Sequence, residues 1–385
     1  MSSSSPWPSR RAILAAIAAS AACPARAAAS SIRVTVLSTG TFAWELDIIR
    51  AHGLDAKADL AIEVTEVATP QAAQLALRAG QADIIITDWL YVSRVRSLGE
   101  RLVFYPYSTA IGAIMTPSPS SIASLADLQG RKLAVAGGPL DKGWLIVRGA
   151  ALQEGIDLTS SASIVYGAPP LLAEKARQRE FDASLNFWNV CAALEAEGFK
   201  QLVGVEDLAM RLGATGPLAN LGYVFREEWA GENRHALARF LEATREAKDL
   251  LAQSPAEWGL VKERLGLRNG AALPAYQKRY AAGIPRRPLG AEEADARRLY
   301  AVLARLGGPE LVGPAPEGAV IAVIVPVSSL NAMSARTSFP KPDALRKDLR
   351  VIAISIATGT PPLRCSSFKG LHHPCLDHQH DGHEG

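Results

Sequence analysis

The fold is read from Arg78-Ala79-Gly80-Gln81-Ala82-Asp83-Ile84-Ile85-Ile86-Thr87-Asp88-Trp89. A helical pattern runs into Gly80, a residue that takes the left-handed conformation ending many helices. The β-branched triplet Ile84-Ile85-Ile86 suits a short strand buried on both faces of a parallel sheet. The strand closes on Thr87-Asp88-Trp89, and a new helical pattern starts at Leu90. Ligands of open α/β sheets bind beyond the carboxyl ends of the strands, so a hydroxyl, a carboxylate and an indole there mark a candidate pocket edge. A second reading stands beside it, in which Thr87 or Asp88 only caps the next helix.

The same alternation extends outward. Arg33 to Ser38 reads as a strand, Thr39 to Ala43 as a turn and Trp44 to Ala51 as a helix. Ala61 to Ala68 is the next strand, followed by a helix with Thr69 as N-cap and Pro70 in its first turn. Leu102 to Tyr107 and Ile111 to Met115 are further strands. The pattern then restarts with Leu133 to Ala136, a turn at Gly137-Gly138-Pro139, a helix over Leu140 to Glu154, and a strand at Ser163 to Tyr166. Arg179-Glu180-Phe181-Asp182-Ala183-Ser184-Leu185-Asn186-Phe187-Trp188 repeats the opening stretch: an acidic residue opens a strand that closes on a polar residue near Trp. Alternating strands and helices with short connections imply mostly parallel sheets covered on both faces. Two similar α/β lobes are expected: 31–114 with 217–310, and 115–216. The helical segment after Leu221 returns to the first lobe. Asp83 is read as part of a helix-to-strand turn and not as a ligand contact.

Trp44, Trp89, Trp144 and Trp188 each fall at a strand end or early in the following helix. Four rings so placed would line a cleft between the lobes, the usual kind of small-molecule site; the alternative is that each packs in its own lobe's core. Thr39, Gly40, Thr41, Thr69, Asp88, Gly138, Lys142 and Asn186 lie in the same connections and complete the candidate set. The glycines would let backbone N–H groups at helix N-termini approach an anion, or serve as ordinary turn residues. Lys142 would meet an anion or pair with Asp141. Asp88 among indoles would favour an amine. Replacing Trp89 or Trp188 is expected to weaken binding with little loss of fold.

Composition narrows the function further. The 385 residues are 48% hydrophobic and 21% charged, with a formal net charge of +3. That charge is too small to argue for nucleic acid or an anionic membrane surface. Residues 1–27 read as an export signal: Arg10-Arg11, the apolar run Ala12 to Ala22, and Ala25-Arg26-Ala27 at the cleavage site. Ser9 to Leu14 also has a twin-arginine look. Beyond that leader the folded region holds one cysteine, Cys191, so no internal disulfide is expected there. No nucleophile elbow, phosphate-binding loop or H-E-x-x-H metal motif is present, and no cofactor or metal is expected in the folded part.

Taken together, the strand and turn Arg33 to Trp44, the segment Leu77 to Asp83, and Ser124-Leu125-Ala126-Asp127-Leu128-Gln129-Gly130-Arg131-Lys132-Leu133-Ala134-Val135 carry a family likeness. The chain resembles the periplasmic substrate-binding proteins of nitrate-, sulfonate- and taurine-type ABC importers, relatives of the family named for thiamine-precursor synthesis. The resemblance implies a two-lobe type II binding fold, exported to the periplasm and acting as a monomer. Such a protein closes on a small anion and delivers it to a membrane permease and its ATPase. An enzyme branch of the wider family carries a cysteine-rich motif, against which Cys191 stands alone. That enzyme and a periplasmic sensor are the alternative functions. From about Ala315 the pattern is lost, and 315–385 reads as an atypical, disordered tail. Five of the chain's seven His lie between His372 and His383. Three readings remain for this tail: metal binding, a plain extension, or translation out of frame.

Overall fold

The computed structural model of the chain describes residues 29–38, 40–265, 267 and 270–312. The leader and the tail beyond Val312 lie outside the described residues, as does Thr39. In chain order come β1 (Ser30–Leu37), α1 (Phe42–Ala51), α2 (Leu54–Lys57), β2 (Leu60–Val67), α3 (Pro70–Arg78), β3 (Ile84–Asp88), α4 (Trp89–Ser97) and β4 (Leu102–Ser108). After a change of sheet follow β5 (Gly112–Thr116), β6 (Lys132–Ala136), α5 (Lys142–Gln153), α6 (Leu158–Ser161), β7 (Ser163–Gly167), α7 (Pro169–Arg177), β8 (Ala183–Phe187), α8 (Trp188–Ala196), β9 (Lys200–Gly204) and α9 (Val205–Arg211). The last described elements are β10 (Leu221–Arg226), α10 (Glu227–Glu232), α11 (Arg234–Gln253), α12 (Trp258–Arg264), α13 (Leu273–Ala282) and α14 (Leu289–Val312).

The two sheets have matching orders, β2-β1-β3-β10-β4 and β7-β6-β8-β5-β9. In each, one strand runs against the other four: β10 is antiparallel to β3 and β4, and β5 to β8 and β9. Each of these two strands follows a crossing between the lobes, residues 109–111 leading into β5 and 212–220 into β10. The strand that the sequence reading divided at residue 114 therefore lies wholly in the second sheet. Ile84 and Ile85 are fully buried, as a strand inside a two-faced sheet requires. The helix before that strand starts as its chemistry dictates, with Thr69 Oγ1 accepting from Ala72 N at 3.2 Å and Pro70 in the first turn.

The repeat in the sequence has a mechanical meaning. Asp83 N donates to Arg33 O at 2.8 Å, and Asp83 Oδ2 accepts from Arg33 N at 2.8 Å. Asp182 N donates to Lys132 O at 3.0 Å, and Asp182 Oδ2 accepts from Lys132 N at 2.8 Å. Both brackets join residues 50 apart and clamp the start of a central strand to its parallel neighbour. The two differ outside the backbone. Asp83 also takes the Arg33 guanidinium, at 2.6 Å and 3.1 Å, whereas the Lys132 ammonium lies 5.1 Å over the Phe181 ring. Three residues before each Asp the chain turns left-handed, at Gly80 (φ 72°) and at Arg179 (φ 60°). Glycine takes that conformation freely, while Arg179 holds it at a cost of about 1 kcal/mol.

The C-terminal helices do not all return to the first lobe. Helix α11 packs on α1, but α13 packs on α8 of the second lobe, and α14 lies against both α4 and α5. One apolar core accordingly runs through both lobes, joining Ile85, Trp89 and Phe104 to Leu133, Trp144 and Leu185 and to Leu299 and Leu303 of α14. Helix α14 is broken at Gly308, which has φ 62° and precedes Pro309.

The brackets differ in what their loss exposes. Asp83→Ala strands the Arg33 backbone N–H at the start of a buried strand and removes an ion pair to an exposed guanidinium, and should cost about 2 kcal/mol in urea unfolding. Asp182→Ala, at a more open position, should cost about 1 kcal/mol.

Candidate functional site

Both sheets present the carboxyl ends of their parallel strands to the seam where the lobes meet. From the first lobe come the turn before α1, the start of α4, and Asn220 just before β10. From the second come Gly138 to Lys142 and the start of α8. Two of the contacts between the lobes in this seam bear on the candidate site.

The first contact is aromatic. Trp188 of the second lobe packs edge-on to Trp44 of the first, with centroids 5.7 Å apart, and 6.2 Å from Tyr280. Trp258 lies 5.8 Å from Trp44, and Tyr276 lies 6.1 Å from it. Each such edge-to-face pair is worth about 0.5–1.5 kcal/mol beyond its area. The start of α8 is fixed by Trp188 N donating to Ile111 O at 3.0 Å, in the first crossing. Ile111 N in turn donates to the Glu206 carboxylate at 2.6 Å, whose pKa burial raises.

The second contact is polar. Lys142, half-buried at the first position of α5, donates from Nζ to Asn220 O at 3.0 Å and lies 5.2 Å over the Trp89 ring. Loss of water lowers its pKa, while the charges of Asp88 and Asp141 oppose that shift. Asp141 caps α5, with Oδ1 accepting from Trp144 N at 3.1 Å, and burial pushes its carboxyl up to about 6. Asp88 caps α4, with Oδ1 accepting from Tyr91 N at 2.9 Å. Trp89 Nε1 and Asn220 Oδ1 have no hydrogen-bond partner among the described residues. An ammonium has three protons to give and Lys142 uses one, so this corner holds spare donors and a spare acceptor.

The other candidates are spread out. Trp144 is fully buried and packs toward Tyr166 inside the second lobe, 6.4 Å between centroids. Trp89 is 2% exposed and belongs to the common core as well as to the Lys142 corner. Asn186 is consumed locally: Nδ2 donates to Pro169 O at 3.3 Å, and Oδ1 accepts from Phe187 N at 3.0 Å. Thr69 is an exposed cap. Gly40 N donates to Leu37 O at 2.9 Å, and Gly138 O accepts from Asp141 N at 2.9 Å. Thr41 Oγ1 is within 3.0 Å of the Tyr107 hydroxyl. Thr41, Trp44, Asp88, Trp89, Lys142 and Trp188 thus gather at the seam, and Thr69, Trp144 and Asn186 serve their own elements. The expectation that Trp89 or Trp188 could be removed with little loss of fold runs against the burial of both, which are 2% and 8% exposed.

Sequence reasoning missed the group beneath Trp44. Glu45, fully buried, accepts at Oε1 from Lys248 Nζ at 2.5 Å and from the Tyr280 hydroxyl at 2.7 Å. Its Oε2 accepts from the Tyr223 hydroxyl at 3.1 Å. Lys248 Nζ stands 3.8 Å over the Tyr107 ring. Burial, with the Glu45 charge, raises the pKa of all three tyrosines well above the ordinary value. A signal was present: Glu45 falls on the face of α1 that carries Phe42, Ile48 and Ile49, and Lys248 on the apolar stripe of α11. A charge on each buried face asks for a partner.

Cys191 is buried, its Sγ 3.2 Å from Asn186 O and its thiol pushed up to about 12. No group of three or more His, Cys, Asp or Glu among the described residues is arranged to hold a metal ion.

The two-lobe geometry is shared with known proteins. The family model described as NMT1/THI5 like matches residues 50–258. No curated protein matches the chain. Among solved structures, the chain is similar to the periplasmic aliphatic sulphonate binding protein SsuA from Escherichia coli, with 20% identity and a TM-score of 0.59 over 74% of this chain and 94% of that one. It is similar to the alkanesulfonate-binding protein SsuA from Xanthomonas axonopodis pv. citri bound to MOPS, with 19% identity and a TM-score of 0.55 over 74% and 97%. It is also similar to the desulfurization enzyme DSZB, with 16% identity and a TM-score of 0.51 over 80% and 100%. The shared fold is the two-lobe, type II periplasmic binding fold.

The raised Asp141 carboxyl has a signed consequence for stability. An acid whose folded pKa exceeds the unfolded 3.8 favours the folded state at low pH, and that contribution is lost as pH rises from about 4 to about 6. Asp141→Asn keeps a capping side chain and should remove this part of the slope. Urea midpoints of the two proteins should converge or cross toward acid and run parallel above about pH 6.5.

Proposed function

The chain belongs to the NMT1/THI5-like family, and from that membership we propose that it is the periplasmic solute-binding component of an ABC importer. Its ligand is a small anion of the sulfonate class, held between the lobes. One observation carries this reading: the Lys142 corner, where an ammonium from one lobe faces an indole and a crossing segment of the other, with donors to spare. An acid group placed there would touch both lobes, and a ligand that bridges two lobes shifts them toward the closed form. With the lobes parted, the rings of Trp44, Trp188 and Tyr280, packed on one another here, would offer an apolar wall for the rest of a small organic anion. The leader over residues 1–27 would take the protein to the periplasm, and no described helix is long and apolar enough to cross a membrane. Delivery to a permease and its ATPase completes the function, with the binding protein acting as a monomer.

A catalytic role is disfavoured by the state of Cys191. A thiol held at about 12 and turned onto a carbonyl carries no thiolate at neutral pH. The fold is nonetheless shared by binding proteins and by an enzyme, so the test must distinguish binding from turnover.

Calorimetric titration with ethanesulfonate, taurine, MOPS and nitrate provides that test. One-to-one binding near micromolar, about −8 kcal/mol, without consumption of the ligand is the expected result. Lys142→Met should weaken the best ligand about tenfold or more while leaving the circular dichroism unchanged. Affinity should improve as pH falls from 8 toward 6, because protonation of Asp141 removes a negative charge beside the bound anion. Turnover of the ligand, or full affinity in Lys142→Met, defeats the proposal.

A further inference from the structure

We propose that the buried Glu45–Lys248 pair is a positioning unit for the aromatic socket that receives Trp188, and through it sets how firmly the lobes hold together. This rests on the seam being the ligand site. A buried ion pair is a weak source of stability, because desolvation offsets most of the attraction. What this pair provides is direction. Lys248 and the hydroxyls of Tyr280 and Tyr223 all point at one carboxylate, and Glu45 is the chain neighbour of Trp44.

Two walls of the socket are thereby fixed from one point. Tyr280 cannot turn while its hydroxyl stays 2.7 Å from Glu45 Oε1, and its ring then faces Trp188 at 6.2 Å and Trp258 at 5.9 Å. Trp44, next in the chain, meets Trp188 edge-on at 5.7 Å. Lys248 carries the order outward: it stands over the Tyr107 ring, and the Tyr107 hydroxyl meets Thr41 in the turn that precedes α1. Helix α13 adds a second hold on the same lobe contact, where Arg279 Nε donates to Glu195 of α8 at 2.8 Å. Loosening the carboxylate should therefore free the start of α8, in the other lobe, more than it frees the strands of its own.

Tyr280→Phe tests this, since it keeps the ring and removes only the bond to Glu45. Native-state hydrogen exchange is followed on the full chain without ligand, at the Trp188 amide and at the Tyr223 and Val224 amides of β10. The expected result is about tenfold faster exchange at Trp188 with β10 unchanged. In a Trp188→Ala background, the Tyr280→Phe change should then have no effect at the start of α8. Equal acceleration at β10, or no change at Trp188, overturns the proposal and leaves the pair a local support of the first lobe. Glu45→Gln serves as a second variant: it retains an acceptor of the same shape, and intermediate acceleration at Trp188 with β10 unchanged supports the proposal. MOPS titration of wild type and Tyr280→Phe separates the two readings. Loss of MOPS binding in wild type counts against the ligand assignment, while the exchange result alone judges the socket.

Discussion

A carboxylate at the mouth of a strand determines where that strand stops. The two-bond bracket between Asp83 and Arg33 fixes the register of β3 on β1. A strand rises about 3.3 Å per residue, so fixing its start also fixes its end. Asp88 and Trp89 then emerge at the sheet edge at a set height, ready to cap α4 and to back Lys142. The same bracket at Asp182 sets Trp188 in the second lobe. Both halves of the seam inherit their geometry from a pair of hydrogen bonds at the far side of each sheet.

The charges at the seam follow from helix ends. Asp88 and Asp141 occupy the N-termini of α4 and α5, satisfying N–H groups that an anion would otherwise seek. Helices α1 and α8 begin with no side-chain cap, at Thr41 and Phe187. These two are the helices whose first turns carry Trp44 and Trp188. An anion of the kind proposed would meet two helix starts capped by carboxylates, two without a side-chain cap, and the Lys142 ammonium. Lys142 is held where it is by the first kind, and the aromatic contact is built on the second.

Much of the fold could be read from local chemistry. The cap at Thr69, the apolar triplet Ile84 to Ile86, and the repeat ending at Trp188 are all short-range signals, and each corresponds to an element in the structure. The site was legible in part. Strand ends named connections that meet at the seam, but which ring turns inward depends on the far side of the sheet. Trp89 and Trp144 were indistinguishable from Trp44 and Trp188 by position, and all four are buried, but the first two join the core common to both lobes while the other two pack on each other across the seam. The Glu45–Lys248 pair joins residues 203 apart, beyond any spacing rule, although each alone stood out as a charge on an apolar helix face. The placement of α13 and α14 across both lobes was likewise invisible, because both helices read as ordinary amphipathic segments.

Three indoles and two phenols meet where the lobes touch, with Trp44 at 5.7 Å from Trp188 and 5.8 Å from Trp258. Rings so close and steeply inclined share their excited states, which gives coupled bands in near-ultraviolet circular dichroism. One partner in the set belongs to the opposite lobe. Any parting of the lobes breaks one coupling and leaves the other intact. If the lobes part as the proposed function requires, the contact would serve as an optical gauge of that motion, with Trp258 as the internal reference and Trp188 as the partner across the seam.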